Sequence, residues 1–167
     1  MIALRLATVE DVPLIRELAD EIWRAVYPGV ISIEQIEFMI DWMYAAEKLK
    51  NDIAEGEIRF WIFDLADEPV GFASIGPGEA ELELHLHKLY LKPTLHGRGF
   101  GSAALQQLLT ESRSLEADEI SLRVNRANEP AIRCYERNGF TREREICDDI
   151  GGGFVMDDYW MVRKLDT

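Results

Sequence analysis

Leu89-Tyr-Leu-Lys-Pro-Thr-Leu-His96-Gly97-Arg98-Gly99-Phe100-Gly101-Ser102, continued by Ala-Ala-Leu105-Gln-Gln-Leu108-Leu109, runs from a strand through a glycine-rich turn into a helix. Glycines let the chain turn tightly and let backbone amides approach a ligand. The helix start adds free N–H groups and a partial positive charge, so the turn suits an anion such as a pyrophosphate. Arg98 and His96 supply local cations. The same spacing also fits a bare helix-opening turn with no ligand. It is not a P-loop, because Gly-Lys-Ser/Thr is absent. A dinucleotide fingerprint needs G-x-G-x-x-G and an acidic residue closing the next strand; here the spacing is G-x-G-x-G and the next strand ends at Asn125.

Upstream, Glu79–Leu91 alternates as one long strand, with Leu82, Leu84 and Leu86 on one side and Glu81, Glu83, His85 and His87 on the other. Arg59–Leu65 and Pro69–Ile75 form a meander around the turn at Ala66–Pro69. Ile2–Ala7 opens the chain as a strand. Thr8 with Asp11 and Ser32 with Gln35 read as capping boxes for helices at 10–26 and 33–44, and a more charged helix covers 45–55. Downstream, helix 99–114 is followed by strand Glu119–Val124 and helix 128–137, stopped by Asn138-Gly139. Strands Phe140–Cys147 and Phe154–Leu165 close the chain. Adjacent strands imply antiparallel pairing; the strand–helix–strand unit of 79–124 implies one parallel pair. The expectation is an α+β domain over 1–167, with a mixed, mostly antiparallel sheet of about seven strands and helices on both faces.

Composition narrows the function. The 167 residues carry 18 Lys plus Arg against 31 Asp plus Glu, a net charge of −13. That field repels phosphate, so neither nucleic acid nor anionic lipid is an expected partner; it attracts amines and basic peptides. No apolar run reaches the ~18 residues of a membrane span, and Met1–Asp20 lacks a signal-peptide layout, so a cytoplasmic protein is expected. Cys134 and Cys147 form no framework, and with three histidines they make no metal site.

The turn His96–Gly101 resembles the acyl-CoA loop of the GCN5-related N-acetyltransferases, Gln/Arg-x-x-Gly-x-Gly/Ala, with His96 in the Gln/Arg place. A second block agrees: Asn128, Ala131, Tyr135, Gly139 and Phe140 match Asn-x-x-Ala-x-x-x-Tyr-x-x-x-Gly-Phe. The two blocks cover Leu86–Phe140.

The resemblance implies acetyl-CoA as co-substrate, held by amides of Gly97, Arg98, Gly99, Phe100, Gly101 and Ser102, by the strand backbone of Leu89, Tyr90 and Leu91, and by Asn128. It gives Tyr135 the place of the general acid for the leaving thiolate, and a backbone N–H near Leu89–Leu91 that of donor to the thioester oxygen. His85 falls where the histone-modifying branch carries its catalytic glutamate, and an imidazole is a proton acceptor near neutral pH. The alternative for His85, and more so for His87, is a solvated or hydrogen-bonded strand histidine. On the acceptor side, Tyr27 at the Tyr-Pro-Gly break, Glu83, His87 and Asp157 are the candidates; Trp23 reads as core. The run Asp148–Tyr159, with Ile150-Gly-Gly-Gly-Phe154-Val-Met-Asp157-Asp158-Tyr159, looks like the family branch that includes a spermidine/spermine acetyltransferase. Direct acetyl transfer to a polyamine or other small amine is the leading expectation. Transfer to protein N-termini or lysines, and acetyl-CoA binding without transfer, are the alternatives. Many relatives are dimers, so a homodimer is what analogy suggests.

Overall fold

The computed structural model describes residues 1–166. Its elements are β1 (Ile2–Leu6), α1 (Val12–Val26), α2 (Ile33–Met43), α3 (Ala46–Glu55), β2 (Arg59–Leu65), β3 (Glu68–Pro77), β4 (Glu83–Leu91), α4 (Phe100–Arg113), β5 (Glu119–Asn125), α5 (Glu129–Arg137), β6 (Thr141–Gly151) and β7 (Phe154–Lys164). Short 3₁₀ turns precede α1 and α4. The strands order as β1-β2-β3-β4-β5-β7-β6 in one seven-stranded sheet. β4 and β5 are parallel, while β1–β2, β2–β3, β5–β7 and β6–β7 are antiparallel. The expected α+β class and the expected parallel pairing of β4 with β5 are present.

The chain forms two compact units, one of Met1–Ile75 with Lys88–Gly101, the other of Gly76–His87 with the residues from Ser102 on. In the first unit, α1 turns Ile15, Leu18, Ala19, Ile22 and Trp23 inward, all buried, as its helical spacing requires. Thr8 N–H donates to Asp11 Oδ2 (2.8 Å) in the expected capping box, and Ser32 Oγ caps α2 by accepting from Gln35 N–H (3.1 Å). The apolar run of β2 places Phe60, Trp61, Ile62 and Phe63 in the core. The two-residue loop Ala66–Asp67 joins β2 to β3 with both residues at positive φ, +51° and +65°. That is the type I′ arrangement, which matches the strand twist but usually takes Asn or Gly. At Gly71 on β3, a Cβ would lie 2.2 Å from the Tyr90 carbonyl oxygen, so only glycine permits this approach to β4.

In the second unit, β5 buries Ile120, Leu122 and Val124 and alternates them with Ser121, Arg123 and Asn125. α4 buries Ala104, Leu105, Leu108 and Leu109. Asn138, closing α5, ties the two helices together: its Oδ1 accepts from Gln106 (2.9 Å), and its Nδ2 donates to Ser102 Oγ (2.9 Å) and to the Cys134 carbonyl (2.8 Å).

Three boundaries differ from expectation. β4 starts at Glu83, not Glu79: Gly78 N–H donates to the Glu83 carbonyl and Glu83 N–H to the Ala80 carbonyl, so 78–82 form a turn and Leu82 is exposed. β3 runs on to Pro77. β6 continues past Cys147 to Gly151, because the glycine turn is tight and the hairpin stays paired as far as Gly151↔Phe154.

Candidate active site

The glycine-rich turn, His96–Gly101, lies in the first unit. Pro93–Leu95 make a 3₁₀ turn, Gly97 and Gly99 follow at φ +71° and +82°, and α4 begins at Phe100. No side chain crowds either glycine; the left-handed backbone alone demands them. Phe100, Gly101 and Ser102 are thus the first residues of α4, where N–H groups have no carbonyl one turn back. His96 Nε2 lies 2.9 Å from the Leu91 carbonyl and ties the loop to the end of β4. The Arg98 guanidinium reaches the Thr94 carbonyl (3.3 Å) and lies 5.3 Å from the Phe100 ring centroid. Leu89 and Tyr90 are half-buried and Leu91 is buried. Tyr90 packs at 5.6 Å from both Trp23 and Phe72. Trp23 is core, donating its indole N–H to Tyr44 Oη (3.2 Å); Tyr27 is half-buried with its ring 4.5 Å from that of Trp23.

The second unit gathers the titratable side chains. Parallel pairing puts His85 opposite Ser121. His85 Nδ1 is 2.7 Å from Ser121 Oγ, and Ser121 in turn donates to Glu83 Oε1. The other Glu83 oxygen accepts from Ala80 N–H (3.2 Å). The imidazole stacks on Trp160 at 4.9 Å and meets the His87 ring edge-on at 4.7 Å. Burial, with the nearby Arg123 charge second, lowers the His85 pKa to about 4. Its ring is therefore neutral at physiological pH.

Alternation on β4 correctly put Glu83, His85 and His87 on one face, but only His87 of the three is exposed. Glu83 is turned inward, with both carboxylate oxygens engaged. Arg123 binds Asp158 through Nε (2.9 Å) and Asp148 through Nη1 (2.8 Å), while its Nη2 is buried with no partner among the described residues. Burial raises the pKa of Asp158 against the opposing pull of Arg123. Asp157 is half-buried and 3.4 Å from Arg126. Both carboxylates of the tail thus have cationic partners within the chain.

Tyr135, on α5, is half-buried with its ring edge-on to Phe140 at 5.7 Å. Asn128 is the N-cap of α5, its side chain accepting from Ala131 N–H (3.4 Å), which gives it a local structural role. Ser102 Oγ and Cys134 Sγ lie 3.9 Å apart, each also facing Asn138, so the Ser102 hydroxyl is turned toward α5.

Sequence reasoning missed Ser121 and gave Asn138 only the role of a helix stop. Ser121 has no motif around it; only the parallel register, counted outward from the glycine loop, could have pointed to it. Among the described residues no cluster of His, Cys, Asp or Glu is arranged to hold a metal, and no helix is long and apolar enough to cross a membrane.

Residues 15–140 match the acetyltransferase (GNAT) family. A spermidine N(1)-acetyltransferase of Thermoplasma acidophilum is 31% identical over 160 residues, covering 93% of this chain and 96% of that protein. The crystal structure of the PaiA N-acetyltransferase from Thermoplasma acidophilum in complex with coenzyme A superposes with a TM-score of 0.83 at 28% identity, over 98% of this chain and 99% of that one. A peptidyl-lysine N-acetyltransferase of Salmonella typhimurium, YjaB, is 33% identical over 86 residues, about half of each chain.

Proposed function

Because the chain belongs to the GNAT family of acetyltransferases, we propose that it transfers the acetyl group of acetyl-CoA directly to a polyamine or similar small amine. The observation that carries the acceptor class is whole-length likeness to a spermidine acetyltransferase, whereas the lysine acetyltransferase matches only about half the chain. A net charge of −13 favours a cationic acceptor. Residue roles follow the family motifs. Amides of Gly97–Ser102 hold the pyrophosphate, the backbone of Leu89–Leu91 pairs with the pantetheine arm, and Asn128 lies along that arm.

Chemistry needs a neutral amine, a donor for the thioester oxygen as it gains charge, a base and an acid. In this reading a backbone N–H of Leu89–Leu91 donates to the oxygen. His85 Nε2 takes the proton that the amine nitrogen sheds as the amide forms. Tyr135 protonates the departing thiolate, and Cys134, turned toward Ser102 and Asn138, forms no acyl-enzyme. A ring with a pKa of about 4 cannot strip a free ammonium; it acts on the far more acidic nitrogen of the tetrahedral intermediate. Tyr27 and His87, half-buried and exposed, are offered as acceptor contacts. Asp157 joins them only by giving up Arg126.

Thermal shift with acetyl-CoA, followed by free-thiol release with spermidine, spermine, amino acids and a lysine peptide, tests this reading. Ligand at about 100 times its dissociation constant raises stability by roughly 2.7 kcal/mol. Thiol release confined to polyamines is the expected result. Release only with the peptide transfers the reading to lysine, and a shift without release on any amine reduces it to cofactor binding. Tyr135→Phe lowers kcat roughly 100-fold or more while acetyl-CoA affinity holds; an unchanged kcat removes the general-acid role.

A further inference from the structure

Ser121 is fully buried on β5, with three polar neighbours about its hydroxyl. Glu83 Oε1 is in hydrogen-bond contact, His85 Nδ1 lies at 2.7 Å, and the Leu84 carbonyl oxygen is 3.3 Å away. A serine hydroxyl has one proton and two lone pairs. The Leu84 carbonyl can only accept. The Glu83 carboxylate is an acceptor on its other oxygen too, since Oε2 takes the Ala80 N–H. Two acceptors thus compete for the single hydroxyl proton, and the hydroxyl has none left to give to His85. Nδ1 must therefore carry a proton and donate it.

We infer that Glu83 and Ser121 are positioning residues that hold His85 as the Nδ1–H tautomer, with its lone pair on Nε2. The chain runs Glu83 carboxylate, Ser121 hydroxyl, His85 imidazole. It orients the ring and decides which nitrogen accepts. The inference deepens the base role proposed for His85 and rests on it for its functional consequence, though not for the tautomer itself.

The surroundings support a fixed ring. Trp160 of β7 covers one face of the imidazole, and the His87 ring meets it from its own strand. The titratable and charged groups about it are Glu83, reached through Ser121, and His87 on β4, and Arg123 on β5, which pairs with Asp158 on β7 and Asp148 on β6. Arg123 is tied to both aspartates, and Arg144 lies over Trp160 at 4.5 Å and pairs with Glu79 (2.8 Å). Among the described residues the imidazole has the Ser121 hydroxyl as its hydrogen-bond partner, and that hydroxyl fixes its protonation pattern. The turn before β4 keeps the relay in place: a Cβ at Gly78 would lie 2.5 Å from Glu83 Cγ, so the glycine leaves the carboxylate its room.

The test is nitrogen-15 NMR of the imidazoles in the intact protein at pH 7. The three histidines are His85, His87 and His96, and the His85→Gln spectrum assigns the first by its absence. The expected result is a protonated Nδ1 and an unprotonated Nε2 on His85. A protonated Nε2 with a bare Nδ1, or a doubly protonated ring, overturns the inference without any variant having to fold. Ser121→Ala should mix or reverse the tautomers and lower kcat roughly 10- to 100-fold, leaving acetyl-CoA affinity unchanged; Ser121→Thr should restore both. Gly78→Ala, acting only through Glu83, should move the His85 signal in the same direction. A folded Ser121→Ala protein with the wild-type tautomer overturns the relay. By contrast, a His85→Gln enzyme with full kcat ends the base role while the tautomer result stands, so the two readings fail separately.

Discussion

His85 and Lys88 stand three residues apart on β4, on opposite faces of the strand, and both are buried, at 9% and 8% exposure. Their company differs. His85 has a hydroxyl on one nitrogen and an indole against its face. Lys88 lies over aromatic rings, its Nζ 5.3 Å from the centroid of Tyr44 and 5.9 Å from that of Phe60. Burial depresses both groups, His85 to about 4 and Lys88 to about 8, with the Lys48 charge adding to the latter. Yet the outcomes at neutral pH are opposite: the histidine is uncharged and able to accept a proton, while the lysine stays mostly protonated. Equal burial therefore does not imply equal purpose. The imidazole has a hydrogen-bond partner on one nitrogen, whereas the ammonium packs against aromatic faces.

The acid limb of stability separates them most. Unfolded, His85 titrates near 6.5; folded, near 4. As pH falls between those values the unfolded chain takes a proton that the folded protein refuses. Stability present above 6.5 is then lost by pH 4, by about 3 kcal/mol from this group. Urea unfolding of wild type and His85→Gln across that range should show the difference, and parallel curves would dissolve the contrast. Lys88→Met comes next. Removing a buried ammonium should raise stability at pH 7 by about 2 kcal/mol after the lost ring contacts, with kcat unchanged. Wild type alone should also gain stability from pH 8 to 10.5, since there the unfolded chain keeps a proton the folded one has released. A Lys88→Met protein that loses turnover would place Lys88 in the chemistry after all. The smallest effect is a control away from both groups: Ala66→Gly in the β2–β3 turn should add about 0.5–1 kcal/mol by relieving a positive φ, read as a rise in Tm.

Periodicity and turn chemistry made most of the scaffold legible. The bounds of β2, the caps at Thr8 and Ser32 and the loop-to-helix passage at Gly97–Phe100 follow from local rules, because neighbours in sequence decide them. The candidate site was legible only where a motif runs along the chain, as at His96–Ser102 and Asn128–Tyr135. What the sequence hid depends on cross-strand register. Nothing near Ser121 announces that it will face His85, and alternation alone left the polar face of β4 looking solvated. Lys88 was hidden for another reason, since lysine is a surface residue almost everywhere and its burial here depends on rings from distant parts of the chain, Tyr44 and Phe60. The ion pairs of Asp157 with Arg126 and of Asp158 with Arg123 were hidden for the same reason, since the partners lie over thirty residues apart.

Trp160 carries the His85 imidazole against its ring on β7 and the Arg144 guanidinium over it. An indole in contact with an imidazole is dimmed when that imidazole gains a proton. The protein thus contains its own optical gauge of the His85 charge: Trp160 emission should fall as the solution is acidified toward pH 4, and a Trp160→Phe variant should lose that component while the other three tryptophans continue to shine.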